Sequence, residues 1–226
     1  MKDIPVLFTN DDILVVNKPC GLAVQGGTGI SITVIDILER QTGSKIYPVH
    51  RLDKDTAGIL VVARSPGAAA RYSRYIAEKS LAKYYQAVCF GIPEKKEGII
   101  RLSAGRTGNE RPAETSYRIK STANNCSLIE LKLGTGRMHQ IRIHLASINC
   151  PIIADDKYGN FKKNKEIRSR FGIRKLQLAA FRLSLPIHGS DYSPVSAELP
   201  KNACFAVSLP EHMLECIKIL NIPYST

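Results

Sequence analysis

No apolar run in this chain approaches the ~20 residues that a membrane-spanning helix needs. The N-terminus, Met1-Lys2-Asp3-Ile4-Pro5, lacks the apolar segment of a secretory signal. Both absences predict a cytoplasmic protein with no membrane partner. The six cysteines, Cys20, Cys89, Cys126, Cys150, Cys204 and Cys216, form no C-x-x-C pair and none lies beside a histidine at zinc-ligand spacing. Neither a disulfide framework nor a metal site is expected, and most of these thiols should be small buried apolar groups. There is no P-loop, no aromatic-rich RNP-type motif and no zinc-finger spacing. ATP-driven chemistry therefore has no support. No internal repeat, low-complexity tract or long Pro/Gly/Ser linker interrupts the chain, which favours one domain over 1–226. Acid is also scarce: 20 Asp and Glu face 32 Lys and Arg, for a formal charge of +12. A surface so basic gains by releasing counterions from phosphates, which makes nucleic acid the first partner to consider.

Apolar segments recur along the whole length. Ile13-Leu14-Val15-Val16 reads as a strand, followed by Lys18-Pro19 and a glycine-rich loop through Gly29. Ser31 is placed to cap a helix to about Thr42, with Ile32, Ile35 and Leu38 on one face and Gly43 as its stop. Ile59 to Ala63 is a buried strand, and Ser65-Pro66 opens a helix. Lys83 to Phe90, Ser127 to Leu133 and Phe205 to Leu209 read as strands. Met138, Ile141, Leu145 and Ile148 fall at helical spacing, and Pro210 opens a last helix carrying Met213, Leu214, Ile217 and Leu220. The elements mix without regular β-α-β alternation. That predicts an α+β fold on a mixed, largely antiparallel sheet flanked by helices and loops.

Four stretches hold candidate chemistry. The first is His50-Arg51-Leu52-Asp53-Lys54-Asp55-Thr56-Ala57-Gly58, a charge-dense loop anchored on the buried strand. Arg51 and Lys54 flank Asp53, and cationic neighbours favour the ionised carboxylate that a nucleophile or base requires. A plain turn explains the same residue types, and Asp55 keeps that reading. The second stretch runs from Gly134 to Ala146, where Arg137, His139, Gln140, Arg142 and His144 supply donors suited to a phosphate or a carboxylate. His139 and His144 are five apart and do not share a helix face, so they form no metal pair. The third is the strand Lys83 to Gly91. Period two puts Tyr85, Ala87 and Cys89 on one face, and a strand tyrosine either packs or stacks on a base. The fourth is the basic run Lys157 to Lys175, read as either a solvated face or a phosphate-contacting loop.

The first three of these stretches resemble the RluA-type pseudouridine synthases. His50-Arg51-Leu52-Asp53 with Thr56, Gly58 and the following strand is similar to the family's hallmark. Val16-Asn17-Lys18-Pro19 with Gly21-Leu22 is similar to its first motif, and Lys83-x-Tyr85 with Ala87, Val88 and Gly91 to its strand motif. Gly136-Arg137-x-His139-Gln140-Ile141-Arg142 and Lys175-Leu176-x-Leu178 with Ala180 resemble its later ones. The resemblance covers about residues 12–186. Met138 stands where the family commonly has Thr, and Ala57 replaces a frequent Ser. Many relatives carry an N-terminal S4-type RNA-binding domain. Here the first motif begins almost at once, so substrate binding is expected to rest on the catalytic domain.

The resemblance implies a pseudouridine synthase-type catalytic domain with a central basic cleft. It implies an enzyme that isomerises uridine in RNA to pseudouridine, with no cofactor, no metal and RNA as partner. Asp53 is implied as the catalytic carboxylate, either attacking the ribose C1′ or assisting removal of a C2′ proton. Tyr85 would stack on the uracil and serve proton transfer, and Arg142 would pair with Asp53. Arg51 would fill the space left by the flipped base, Leu178 would line the base pocket, and His50, Arg137 and His139 would contact RNA. A monomer is expected. Gly21 to Gly27 is similar to the large-subunit ribosomal RNA branch, with transfer RNA as the second candidate. A catalytically silent RNA-binding protein of the same fold is the alternative. A glycosidase with another substrate would need two acids at the bond, and only Asp53 is well placed by motif.

Overall fold

The computed structural model describes residues 2–27, 29–78, 80–186 and 202–225. In chain order the elements are β1 (Val6–Thr9), β2 (Ile13–Lys18), α1 (Val34–Thr42), β3 (Tyr47–Pro48), β4 (Ala57–Ala63), α2 (Pro66–Ala77), β5 (Ala82–Phe90) and β6 (Glu97–Arg101). They continue as β7 (Ala104–Arg106), β8 (Asn109–Arg111), β9 (Glu114–Ala123), β10 (Cys126–Leu133), α3 (Gln140–Ser147), α4 (Phe161–Phe171), β11 (Leu178–Pro186), β12 (Asn202–Ala206) and α5 (Glu211–Ile219). The fold is α+β, and the pairs β1/β2, β2/β4, β5/β10, β9/β10, β6/β9 and β11/β12 are all antiparallel. Two compact units divide the chain: residues 1–83 with 180–207, and residues 84–179 with 208–226.

In the first unit the strand order is β1-β2-β4-β11, with β12 beside β11 and β3 beside β4. All seven residues of β4 are buried. An unbroken apolar run suits a strand with both faces covered, whereas a half-exposed strand alternates. Ile13 and Val15 of β2, Ile59 and Val61 of β4, Ala68 and Tyr72 of α2, and Leu183 and Leu185 of β11 close one core. Each such aliphatic side chain contributes about 1.5–3 kcal/mol of burial. Ser65 caps α2 by accepting from the Ala68 amide at 3.1 Å, with Pro66 at the first position, as the Ser-Pro signal predicts.

The start of α1 differs from expectation. Its cap is Thr33, not Ser31: the Thr33 hydroxyl accepts from the Asp36 amide at 3.2 Å, and the Asp36 carboxylate accepts from the Thr33 amide at 2.8 Å. This reciprocal box satisfies two otherwise orphaned donors, which an isolated serine two residues earlier would not. The buried face is accordingly Val34, Ile37 and Leu38, while Ile32 is exposed.

In the second unit the order is β5-β10-β9-β6, and β7 and β8 form a separate hairpin. Tyr85 lies opposite Leu131, and Cys89 opposite Ser127. Residues 85–90 are all buried, so β5, like β4, has both faces covered. Two expectations fail here. Met138 is exposed and lies outside α3, which begins at Gln140 after a left-handed His139 (φ 55°). The basic run, read as a solvated face or a phosphate-contacting loop, contains the helix α4 in place of the loop. Asn160 accepts from the Lys163 amide at 3.0 Å to open the helix, and a left-handed Gly172 closes it. All six cysteines are free, and Cys89, Cys126, Cys150 and Cys216 are buried.

Gly58 is the most constrained position of β4. Its φ is +111°, a region that side chains other than glycine rarely adopt, and an added Cβ would collide with the Ala180 backbone. Gly58→Ala should therefore destabilise the fold by at least about 3 kcal/mol. A urea titration reads this as a large drop in midpoint or as loss of folded protein; an unchanged midpoint would contradict it.

Candidate active site

Residues 49–56 form the connection from β3 into β4. Lys54 and Asp55 make its turn, and the Thr56 amide closes it by donating to the Asp53 carbonyl at 3.1 Å. The turn reading of this stretch therefore holds, and it is what presents Asp53. Leu52 and Thr56 are buried, Asp53 and Asp55 are half-buried, and Arg51 and Lys54 are exposed. The loop is thus rooted by an apolar and a hydroxyl side chain while its charges stay near solvent.

Beneath the loop lies Lys18, the last residue of β2, paired in register with Gly58. It is 0% exposed. Its ammonium donates to the carbonyls of Pro19 at 2.9 Å, Leu22 at 2.7 Å and Lys54 at 2.9 Å, which uses all three of its N–H bonds. The Gly21 amide donates to the same Lys54 carbonyl at 2.9 Å, and the Cys20 thiol donates to the Asp55 carbonyl at 3.1 Å. Residues 18–22 are in this way stitched to residues 54–55. Burial pulls Lys18 down to about 8, partly opposed by the negative potential of Cys20, Asp55 and Asp53. Sequence reading placed Lys18 in a motif but gave it no role, because a lysine is rarely buried and nothing in the sequence shows the carbonyls it meets.

His50 is half-buried, and its Nε2 accepts from the Val61 amide at 3.1 Å. The hydrogen is therefore on Nδ1, which has no hydrogen-bond partner among the described residues. Burial first, and then the Lys83 ammonium, lower His50 to about 3, so the ring is neutral. His50 braces β4 with one nitrogen and keeps a free donor on the other.

Tyr85, Arg137, His139, Arg142 and Leu178 belong to the second unit. Tyr85 and Leu178 are buried, at 5% and 3% exposure. Arg142, on the first turn of α3, grips Asp155 through two bonds: Nε to Oδ2 at 2.8 Å and Nη2 to Oδ1 at 2.7 Å. Nη2 also reaches Asp156 at 2.8 Å. Asp155 is fully buried. Burial alone would raise its carboxyl, but the Arg142 bonds and the amides of Tyr158 and Lys157 outweigh that and hold it below the usual range. The Arg142 guanidinium lies 5.4 Å from the Tyr158 ring centre, and the Tyr158 hydroxyl is 3.1 Å from His139 Nδ1. Arg142, Asp155, Tyr158 and His139 thus form one connected group.

Gln140 anchors the segment before α3. Its Oε1 accepts from the Thr135 hydroxyl at 2.7 Å and the Arg137 amide at 3.0 Å. Its Nε2 donates to the Glu114 carbonyl at 2.8 Å and the Thr115 hydroxyl at 2.9 Å. Arg137 itself is exposed. His144 is turned inward, with Nε2 on the Leu102 carbonyl at 2.9 Å, so it supplies no donor to a ligand through that nitrogen. Asp155 and Tyr158 were missed in the sequence. The available signal was an adjacent acid pair, Asp155-Asp156, immediately before a strongly basic run.

Residues 12–147 match the family model for RNA pseudouridylate synthase. The chain belongs to the RNA pseudouridylate synthase family. As a member it is an RNA pseudouridine synthase, an isomerase of uridine within RNA. It is 36% identical over 210 residues to the ribosomal large subunit pseudouridine synthase C of Rickettsia conorii, covering 86% of this chain and 68% of that one. The protein of the same name from Vibrio cholerae is 30% identical over 213 residues, covering 88% and 66%. For the corresponding Rickettsia typhi protein the match spans 56% of its length. The solved structure of human RNA pseudouridylate synthase domain containing 4 has the same fold, with a TM-score of 0.80 at 23% identity over 98% of this chain and 95% of that one. In the synthase, Ala57 is buried and Met138 is exposed, so the two departures from the family motifs sit in unlike surroundings.

The buried Lys18 ammonium gives a signed pH dependence. From about pH 8 to the ordinary value of 10.5, the unfolded chain holds a proton that the folded chain releases. Stability should therefore rise with pH across this window relative to Lys18→Met, by up to about 1.4 kcal/mol per pH unit. Urea titrations of both proteins across the window measure it, and parallel pH dependences would contradict it.

Proposed function

We propose that this synthase converts uridine to pseudouridine in large-subunit ribosomal RNA, with Asp53 as the catalytic carboxylate. The observation that carries the reading is the Asp53 loop itself, held from below by a buried ammonium on three carbonyls. The hallmark residues His50-Arg51-Leu52-Asp53 stand on that support. The names of the bacterial relatives favour ribosomal RNA; transfer RNA is the second substrate class of this reading. A cytoplasmic site of action goes with that substrate.

The reaction breaks the N1–C1′ glycosidic bond of a uridine, turns the uracil and joins its C5 to the same C1′, with the C5 proton lost and one proton gained at N1. Atoms and oxidation state are conserved, so neither a redox group nor a nucleotide is required. Asp53 serves by attack on C1′ or by removing the C2′ proton. Both routes need a carboxylate held still at the sugar, which is what a pinned loop provides. Tyr85 is assigned to stacking on the uracil and to proton transfer, and Leu178 to the apolar lining of the base pocket. Arg142 is assigned to the anionic partner that the resemblance gives it, Asp53, in addition to Asp155. The target base must leave its stack, at a cost of a few kcal/mol. Arg51 is long, exposed and two residues from Asp53, which suits filling the vacated space. Arg137 and His139 are assigned to RNA contact, as is the free Nδ1 donor of His50. The synthase acts as a monomer in this reading.

Asp53→Asn keeps the shape and removes the charge. Pseudouridine formation in a large-subunit ribosomal RNA transcript should fall at least about a hundredfold, with RNA affinity within a few-fold of wild type. Retained turnover would remove Asp53 from the catalytic role. RNA binding without turnover in the wild-type protein would favour a silent binding protein instead.

A further inference from the structure

The helix α4 carries more positive charge than its own stability favours. It holds Lys162, Lys163, Lys165, Arg168 and Arg170 against the single acid Glu166. Its first turn contains two lysines and no acid. Cations there oppose the partial positive charge of a helix N-terminus, and like charges three or four residues apart repel. Two of the five cations have partners: Arg170 lies 3.3 Å from Glu166, and Lys163 sits 5.5 Å over the Phe90 ring. Lys162, Lys165 and Arg168 pair with no acid among the described residues, and all three are exposed.

These three follow one another at intervals of three residues, so they run along one side of the helix over about 9 Å. The opposite side is the anchored one. Ile167 is buried, and Asn164 accepts from the Ala154 amide and donates to the Asp155 carbonyl, each at 2.9 Å. Asp155 is the carboxylate that grips Arg142. The free row therefore stands on a rigid mount that shares a residue with the candidate active site. A row of unpaired cations that repel one another is relieved by a polyanion, and a fixed helix loses little freedom on meeting one.

We propose that Lys162, Lys165 and Arg168 of α4 form a docking surface for the phosphate backbone of the RNA substrate, separate from the residues that handle the target base. The proposal rests on the RNA-modifying reading above and adds to it where the substrate's backbone is held. Contacts of this kind position the substrate without reading its sequence.

The test uses the full chain with Lys162→Gln, Lys165→Gln and Arg168→Gln combined, and a large-subunit ribosomal RNA transcript as the probe. Dissociation constants are measured between about 50 and 200 mM salt, and pseudouridine formation is measured in parallel. Loss of three phosphate contacts should flatten the plot of log affinity against log salt by about 2–3. The wild-type advantage should then be roughly 16- to 64-fold larger at the low-salt end than at the high-salt end. Lys162→Arg with Lys165→Arg keeps the charge and should retain the wild-type slope. An unchanged slope in the Gln variant overturns the surface, whether the row is merely solvated or meets an acidic protein, and leaves the catalytic reading intact. A flattened slope in a chain whose wild type forms no pseudouridine overturns the catalytic reading and leaves the surface standing.

Discussion

One buried ammonium organises the first unit of this synthase. A charged amine taken out of water costs several kcal/mol unless each of its N–H bonds finds an acceptor. Lys18 meets that condition with three carbonyls drawn from two separate segments, 19–22 and 54. The cost is reduced most when both segments are in place, so the ammonium links their conformations. Asp53 sits one residue from the gripped carbonyl, and Gly58, across the register from Lys18, has room only for a hydrogen. The backbone of the turn that carries the candidate carboxylate is thus held through the carbonyls of Asp53, Lys54 and Asp55.

The second unit uses the same device with the signs reversed. Asp155 is a fully buried carboxylate, satisfied by the Arg142 guanidinium and by two backbone amides. Charge-assisted bonds in a two-pronged geometry fix the guanidinium in position as well as orientation. Gln140 does for the segment 134–139 what Lys18 does for the first loop, with four bonds from one amide group. In each unit the motif residue with no assigned chemistry is the one that fixes its neighbours. Removing such a residue strands several buried polar groups at once.

The legible part of this molecule was its apolar pattern and its local punctuation. Ile59 to Ala63 and Lys83 to Phe90 read as strands because their runs are apolar, and Ser65-Pro66 read as a helix start because the serine and proline act on their own neighbours. Thr33 was missed because its cap depends on an aspartate three residues on, while Ser31 fits the general preference for serine before a helix. Met138 fits the helical period of Ile141 and Leu145. The left-handed turn at His139 breaks that period, and nothing in the sequence signals that conformation for a histidine. The helix in the basic run was hidden for a related reason. Its apolar side is one residue, Ile167, and its anchoring is by Asn164, so periodicity had almost nothing to register. Lys18 and Asp155 were out of reach because a buried charge is defined by partners far along the chain.

Amide hydrogen exchange tests the clamp most directly. The Gly21 and Thr56 amides donate to the carbonyls of Lys54 and Asp53, so they report on the two segments that the ammonium joins. In Lys18→Met their protection should drop by about tenfold or more beyond any loss at the Ala69 amide in α2, which donates to the Ser65 carbonyl, because three carbonyls lose their donor where the loops meet. Equal losses at all three amides, or none, would mean that the loop bearing Asp53 holds its shape without the lysine beneath it.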